Sequence, residues 1–406
     1  MAMPVAVPAA PAAGRTVGDS GAAAPAAPAV RPGVESWTAP VLLRLALGAG
    51  LLLGQGAFVA GAAWDVQWHL AVGRDRTFTP PHLLLLSGIA ATGLLALAGV
   101  LWHSLGGRRW RRGTTRFLWV FRAPFGAYLA GFGALLAAVA FPLDDYWHRL
   151  YGIDVTLWAP FHVMIVTGMA LAALGTPYVF ASAATLAHSG RRRPLGLLAG
   201  AGAAVSLAMP AATLLVLVAQ ALDADGIIAA RPRPIVAFPP LLVLSLVPWL
   251  VAAAPAARLP GGATLMALAL TLLRYGLFAF VPWAVRVVAA AEQLPYRPSA
   301  PSFAAIPLAF PAWAVAAGLA VDGCWQAARR GHLRPVPVLL AAGTIAAVFE
   351  AWADRPWMQT LPLTRLGRGL DLQAALWNAL PLAAVCGLAA AALGIGLGAA
   401  LRRGAR

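Results

Sequence analysis

The chain has 406 residues, of which 61% are hydrophobic and 11% charged, and its formal net charge is +16. So apolar a composition excludes a soluble globular domain, because apolar runs of about 20 residues are what cross a bilayer. The excess charge does not point to nucleic acid either: it is all arginine, clustered at Arg108 to Arg122, Arg191 to Arg193, Arg329 to Arg334 and Arg402 to Arg406, between or after apolar runs, as in cytoplasmic loops of membrane proteins.

Residues 1–36 are rich in Ala, Pro and Gly and lack the charged start, apolar core and cleavage signature of a signal peptide, so they are expected to form a disordered cytoplasmic tail. Apolar windows then place about ten helices, near 40–63, 82–103, 124–143, 160–186, 195–221, 236–257, 263–289, 303–325, 335–352 and 374–401. Runs this long and continuous fit spanning helices, not the alternating strands of a barrel. The expected fold class is therefore all-α, a polytopic integral membrane helical bundle. It divides into a four-helix region over 37–190 and a six-helix region over 191–406. Nine arginines fall in 105–122 and 189–194, against Arg74, Arg76 and Arg149 at the intervening junctions. That asymmetry predicts a multi-pass cell-membrane protein with both termini cytoplasmic.

The first two helical hairpins each carry one copy of a ligand-like pattern at the junction of their helices. The first is Asp65-x3-His69 followed by His82; the second is Asp144-x3-His148 followed by His162. Four of only seven histidines fall in these frames. Residues four apart share a helical face, so Asp65 with His69, and Asp144 with His148, present two donors to one point. Each later histidine opens the next helix behind proline, at Pro81-His82 and Pro160-Phe161-His162. Thr79 suits an N-cap there, and a helix N-terminus disfavours imidazolium, leaving a neutral nitrogen free to bind metal. The copies form a parallel repeat.

Two histidines and one carboxylate suit non-haem iron, and imidazole-rich sets also suit copper and zinc, so the donors alone do not select the metal. Three protein ligands leave an open position, as catalytic or transient sites do. A blander reading stays open: Trp64, Trp68 and the histidines as an aromatic belt anchoring helix ends at the headgroups. Asp145 reads either as a carboxylate orienting a ligand imidazole or as a solvated helix-end charge. Paired haem ligation requires each histidine pair on one continuous helix, and Gly73 to Pro81 and Gly152 to Pro160 interrupt both intervals.

Elsewhere the leads are weaker. Arg274 falls in mid-span, where ionisable groups are costly and often functional. Glu350 and Asp354, four apart, could neutralise Arg286 or line an access route, with a structural ion pair the plainer reading. His103 and His188 sit beside arginines at helix ends with no ligand role expected. Cys324 and Cys386 lie in apolar segments as small hydrophobes.

These motifs resemble the γ subunit of the copper-containing membrane monooxygenases, the family of particulate methane and ammonia monooxygenases. One copper site of that subunit is Asp-x3-His-x12-His, matched by Asp65, His69 and His82, and Arg74 to His82 is similar to its RDTSFTPxH segment. The other is Asn-x3-His-x13-His ending Ala-Pro-x-His, matched by Asp144, His148 and Ala159-Pro160-Phe161-His162. The similarity covers roughly residues 60–170. Asp144 departs from the family's Asn, and the chain runs well over two hundred residues further. The resemblance implies copper as cofactor, an oxygen-activating role, two further subunits as partners beside the lipid bilayer, and dioxygen with a small apolar substrate. The alternative is a non-catalytic copper-handling protein, or a transporter using helices five to ten as its pathway.

Overall fold

The computed structural model describes residues 37–73, 77–151, 159–220, 234–298, 300, 302–353 and 372–403. The expected N-terminal tail, Arg74 to Arg76, Gly152 to Trp158 and Asp354 lie outside these. The helices are α1 (Thr38–Ala71), α2 (Pro80–Leu105), α3 (Phe125–Tyr151), α4 (Pro160–Ser189), α5 (Arg193–Ser206), α6 (Ala208–Gln220), α7 (Pro234–Ala256), α8 (Gly262–Ala291), α9 (Ala314–Arg329), α10 (Pro335–Ala353) and α11 (Leu372–Arg403). Among the described residues, nine helical segments are long and apolar enough to cross a membrane, and Pro240–Ala256 of α7 is a shorter apolar helix. Large aliphatic side chains in mid-helix face outward, Leu53 at 76% and Leu272 at 71% exposure. Water would penalise such a surface and hydrocarbon would not. The chain is an all-α polytopic membrane bundle.

Three segments depart from the expected spans for local reasons. The apolar run 195–221 is broken at Leu207 into α5 and α6. Pro210 lacks the N–H that would bond the Ser206 carbonyl, and its ring crowds that carbonyl, so α5 stops at Ser206. In the run 303–325, Pro307 and Pro311 leave a 3-10 turn at Ile306–Ala309, and a regular helix starts only at Ala314. Between α2 and α3 a two-stranded hairpin, β1 (Thr115–Phe117) and β2 (Phe121–Ala123), stands among the arginines. Leu118 and Trp119 at its tip have φ of 45° and 63°, the left-handed backbone a tight reversal needs.

Small residues set how closely the helices approach. A Cβ on Gly133 would lie 2.3 Å from the Ala172 backbone nitrogen, and one on Gly168 would lie 2.7 Å from the Gly133 carbonyl, so α3 and α4 touch backbone to backbone. Gly61 does the same for α1 and α2, its Cβ position falling 2.5 Å from the Leu85 nitrogen. In lipid, where helix association gains little from hydrophobicity, such approach is what van der Waals packing requires. Gly61 lies one turn before Asp65, and Leu85 three residues after His82, so this contact brings the two halves of the first motif together.

The second half of the chain packs onto the first. Trp64 of α1 meets Phe280 of α8 edge-on at 5.6 Å. Asp322 of α9 accepts hydrogen bonds from the Ala263 and Thr264 amides and the Thr264 hydroxyl, capping α8 across the bundle. Arg274 is buried in mid-span, with its guanidinium 5.5 Å from the Phe278 ring. Glu350 is buried while Arg286 is exposed, and no ion pair among the described residues joins them.

Candidate metal centre

The first motif assembles at the C-terminal end of α1 and the first turn of α2. α1 continues past the last strongly apolar residues to Ala71, so Asp65 and His69 stand one helical turn apart on one face. α2 starts where Pro80 and Pro81 fix the first turn, with Thr79 as N-cap accepting a long bond from the His82 amide at 3.5 Å. His82 Nε2 then lies 3.2 Å from Asp65 Oδ1, and His69 Nε2 lies 3.7 Å from Asp65 Oδ2.

The second motif repeats this on α3 and α4. α3 also outruns its expected end, passing through Pro142 and reaching Tyr151, which keeps Asp144 and His148 on one face. α4 opens with Pro160 at its first position, two residues before His162. His148 Nε2 is 3.4 Å and His162 Nε2 3.0 Å from the same oxygen, Asp144 Oδ2. The two imidazole rings stand 5.7 Å apart.

These separations fit an ion. Donors about 2.1 Å from a tetrahedral metal stand about 3.4 Å from one another. The nitrogen–oxygen separations bracket that value, and within each trio the donor atoms lie within 4.8 Å of one another. The orientation of His82 agrees. His82 Nδ1 lies 3.2 Å from the Thr77 carbonyl, a contact in which Nδ1–H donates. Nε2 then faces the Asp65 carboxylate, the orientation a metal ligand needs. Asp144 Oδ1 is a buried oxygen with no hydrogen-bond donor among the described residues, as an unfilled ligand atom would be.

The structure decides among the readings left open. Trp64 and Trp68 are buried in the protein core, so they are not an interfacial belt facing headgroups. Each histidine pair comes from two different helices and shares one carboxylate, so the single-helix spacing of paired haems does not apply. Asp145 stands outside its own trio and is partly exposed, but it is not a free helix-end charge. Its Oδ1 accepts from the Thr77 hydroxyl of the other hairpin at 2.8 Å, and Arg149 holds its Oδ2. Thr77 is also the residue whose carbonyl orients His82, so the spare carboxylate of the second motif steadies a histidine of the first. The two trios are close enough for His162 to feel the Asp65 charge.

Sequence reasoning missed one contributor. The segment between α8 and α9 returns to the end of α1: the Arg297 amide donates to the Ala71 carbonyl at 2.8 Å, and its guanidinium to the His69 carbonyl at 3.3 Å. Gly73, with φ of 71°, leaves room for that guanidinium, which a Cβ there would overlap. Ala305 likewise donates its amide to Gln67 Oε1 at 3.1 Å. No local pattern marks these residues, since the pairing spans more than two hundred positions. His103 and His332 lie apart from both trios, and Cys324 and Cys386 are free thiols.

What the arrangement offers is two neighbouring Asp/His/His groups, each able to hold one metal ion with positions left for another ligand, at one end of a membrane bundle. Compared with protein-family models, with curated proteins and with solved structures, the chain matches none of them.

Proposed function

We propose that the chain is a copper-binding membrane subunit of the oxygen-activating kind, related to the γ subunit of the copper-containing membrane monooxygenases. The observation that carries this reading is the pair of Asp/His/His trios at the same end of adjacent hairpins, both at metal-ligand separations. Asp65, His69 and His82 would hold one ion, and Asp144, His148 and His162 a second. Copper bound there would supply the redox centre at which dioxygen is activated. The protein's own part is orientation and exclusion: Thr77 holds His82 in one tautomer, Arg297 fastens the turn that carries His69, and Trp64 and Trp68 keep the flank of the first trio dry. Zinc and iron suit the same donors, so they are the competing occupants.

On this reading the motif-bearing end is extracytoplasmic and both termini are cytoplasmic, since the arginine-rich linkers lie at the opposite end. Two further subunits and a small apolar substrate complete the assembly. The test is elemental analysis of the detergent-solubilised protein beside His69→Ala/His148→Ala, with oxygen consumption measured in membranes. Copper that disappears from the double variant supports the proposal. Metal content unchanged by the double substitution refutes both sites. Bound copper without oxygen-dependent turnover would assign the chain to copper handling instead.

A further inference from the structure

The arginine-rich end of the bundle carries a second feature that the metal sites do not use. A cavity of about 640 Å³ opens between the end of α4, the start of α5 and the turn joining α7 to α8, with His188, Arg191, Arg192, Arg193, Leu197 and Arg258 on its walls. Four arginines and a histidine converge there, and no carboxylate is among the lining residues. Two of the arginines, Arg191 and Arg258, have φ of 55° and 57°. A left-handed backbone at a residue with a long side chain is costly and persists where the surroundings, or a function, demand it. The Arg258 guanidinium is held by the Thr185 hydroxyl at 2.6 Å. Burial, and then the nearby charge of Arg402, keep it below the usual arginine value. Such a cluster has a standing electrostatic demand for an anion.

We infer that this cavity binds the phosphate headgroup of an anionic glycerophospholipid. The chemistry it recognises is a phosphate diester, and its position selects the membrane as the source. Leu197 on its wall is 42% exposed and Leu198 beside it 59%, so the opening continues onto an apolar face of α5 along which acyl chains can lie. The cavity is thus at the level where spanning helices end and headgroups lie. Arginine also suits phosphate better than lysine would, through paired donors in a fixed plane, and basic pockets between spanning helices are recurrent headgroup sites.

The experiment uses the full chain in detergent. Native mass spectrometry with equal phosphatidylglycerol and phosphatidylcholine reads retained lipid, and thermal unfolding with each lipid, inorganic phosphate or glycerol phosphate reads the stabilisation. Preferential retention of phosphatidylglycerol, with stabilisation that the two water-soluble phosphates do not reproduce, is expected. Each arginine near an anionic surface is worth a factor of about 5 in affinity. Arg193→Gln should therefore weaken the preference about 5-fold, and Arg191→Gly/Arg258→Gly about 25-fold. The glycines accept the left-handed backbone, so this double variant keeps its fold while losing the charges. Arg108→Gln/Arg109→Gln, at the same end but outside the cavity, should change nothing. Equal retention of both lipids, equal stabilisation by inorganic phosphate, or an equal loss in the Arg108/Arg109 control would each overturn the assignment.

Discussion

Asp145→Asn tests whether the two trios are one device. The substitution keeps the shape of the side chain and removes the charge that the Thr77 hydroxyl meets at 2.8 Å. A hydrogen bond to a charged acceptor contributes about 1.5–3 kcal/mol where it is protected. Here the Asp145 side chain is 25% exposed and shared with Arg149, so solvent and the second partner reduce the figure to about 1 kcal/mol. Thr77 passes this on to His82 through the 3.2 Å contact between its carbonyl and Nδ1. Loss of a group that orients a ligand imidazole weakens metal affinity by about 10- to 100-fold; the partial exposure places the expected loss near the lower end. The assay is competition against a chelator of known affinity, run in two backgrounds. His148→Ala/His162→Ala leaves only the first trio, and His69→Ala/His82→Ala only the second. The loss should fall on the first trio although Asp145 adjoins a ligand of the second, and Thr77→Val should abolish any further effect of Asp145→Asn. A loss confined to the second trio would refute the cross-hairpin argument.

Gly61→Ala should act from one turn away: its Cβ would lie 2.5 Å from the Leu85 nitrogen, and strain of about 1.4 kcal/mol from overpacking, relieved by parting α1 from α2, weakens the first trio about tenfold and spares the second. Single cysteines placed in 105–122 and 189–194 of a Cys324→Ala/Cys386→Ala chain should resist an impermeant thiol reagent applied to intact cells, while one at Phe78 should react; the opposite pattern would invert the proposed topology. Asp144→Asn should keep the second trio but weaken divalent ions more than Cu(I), because a neutral amide stabilises the higher charge less than a carboxylate does. A larger loss for Cu(I) than for Cu(II) or Zn(II), measured by chelator competition, would count against Asp144 as a direct ligand.

The helices were legible because hydrophobic burial is written locally: an apolar run of about 20 residues has few alternatives in a membrane. Their ends were less so. Polar residues close a hydropathy window, yet α1 runs on to Ala71 and α3, through Pro142, to Tyr151, because backbone hydrogen bonding does not depend on side-chain polarity. The reverse holds at Pro210 and Pro307, where apolar composition suggested continuity and the missing backbone donors broke it. The hairpin at Thr115–Ala123 was hidden for a third reason. Three-residue strands carry too little alternation to register against a cluster of arginines.

The site divides along the same line. Its six donors announce themselves through spacing, since an i,i+4 pair and a proline-led histidine are local arrangements that a helix converts directly into convergence. What supports the donors is not local. Thr77 and Asp145 are 68 positions apart, and Arg297 and His69 are 228 apart; nothing in the residues around either pair specifies that they meet. Those contacts arise only once the hairpins and the segment between α8 and α9 are packed together. The ligands of one trio thus depend on residues of the other hairpin and of the second half of the chain. A fragment limited to the resembling stretch, roughly 60–170, would retain all six donors and lose Arg297, Ala305 and the Phe280 wall. Arg297, Ala305 and Phe280, all from beyond the motifs, thus brace the end of α1 that carries Asp65 and His69.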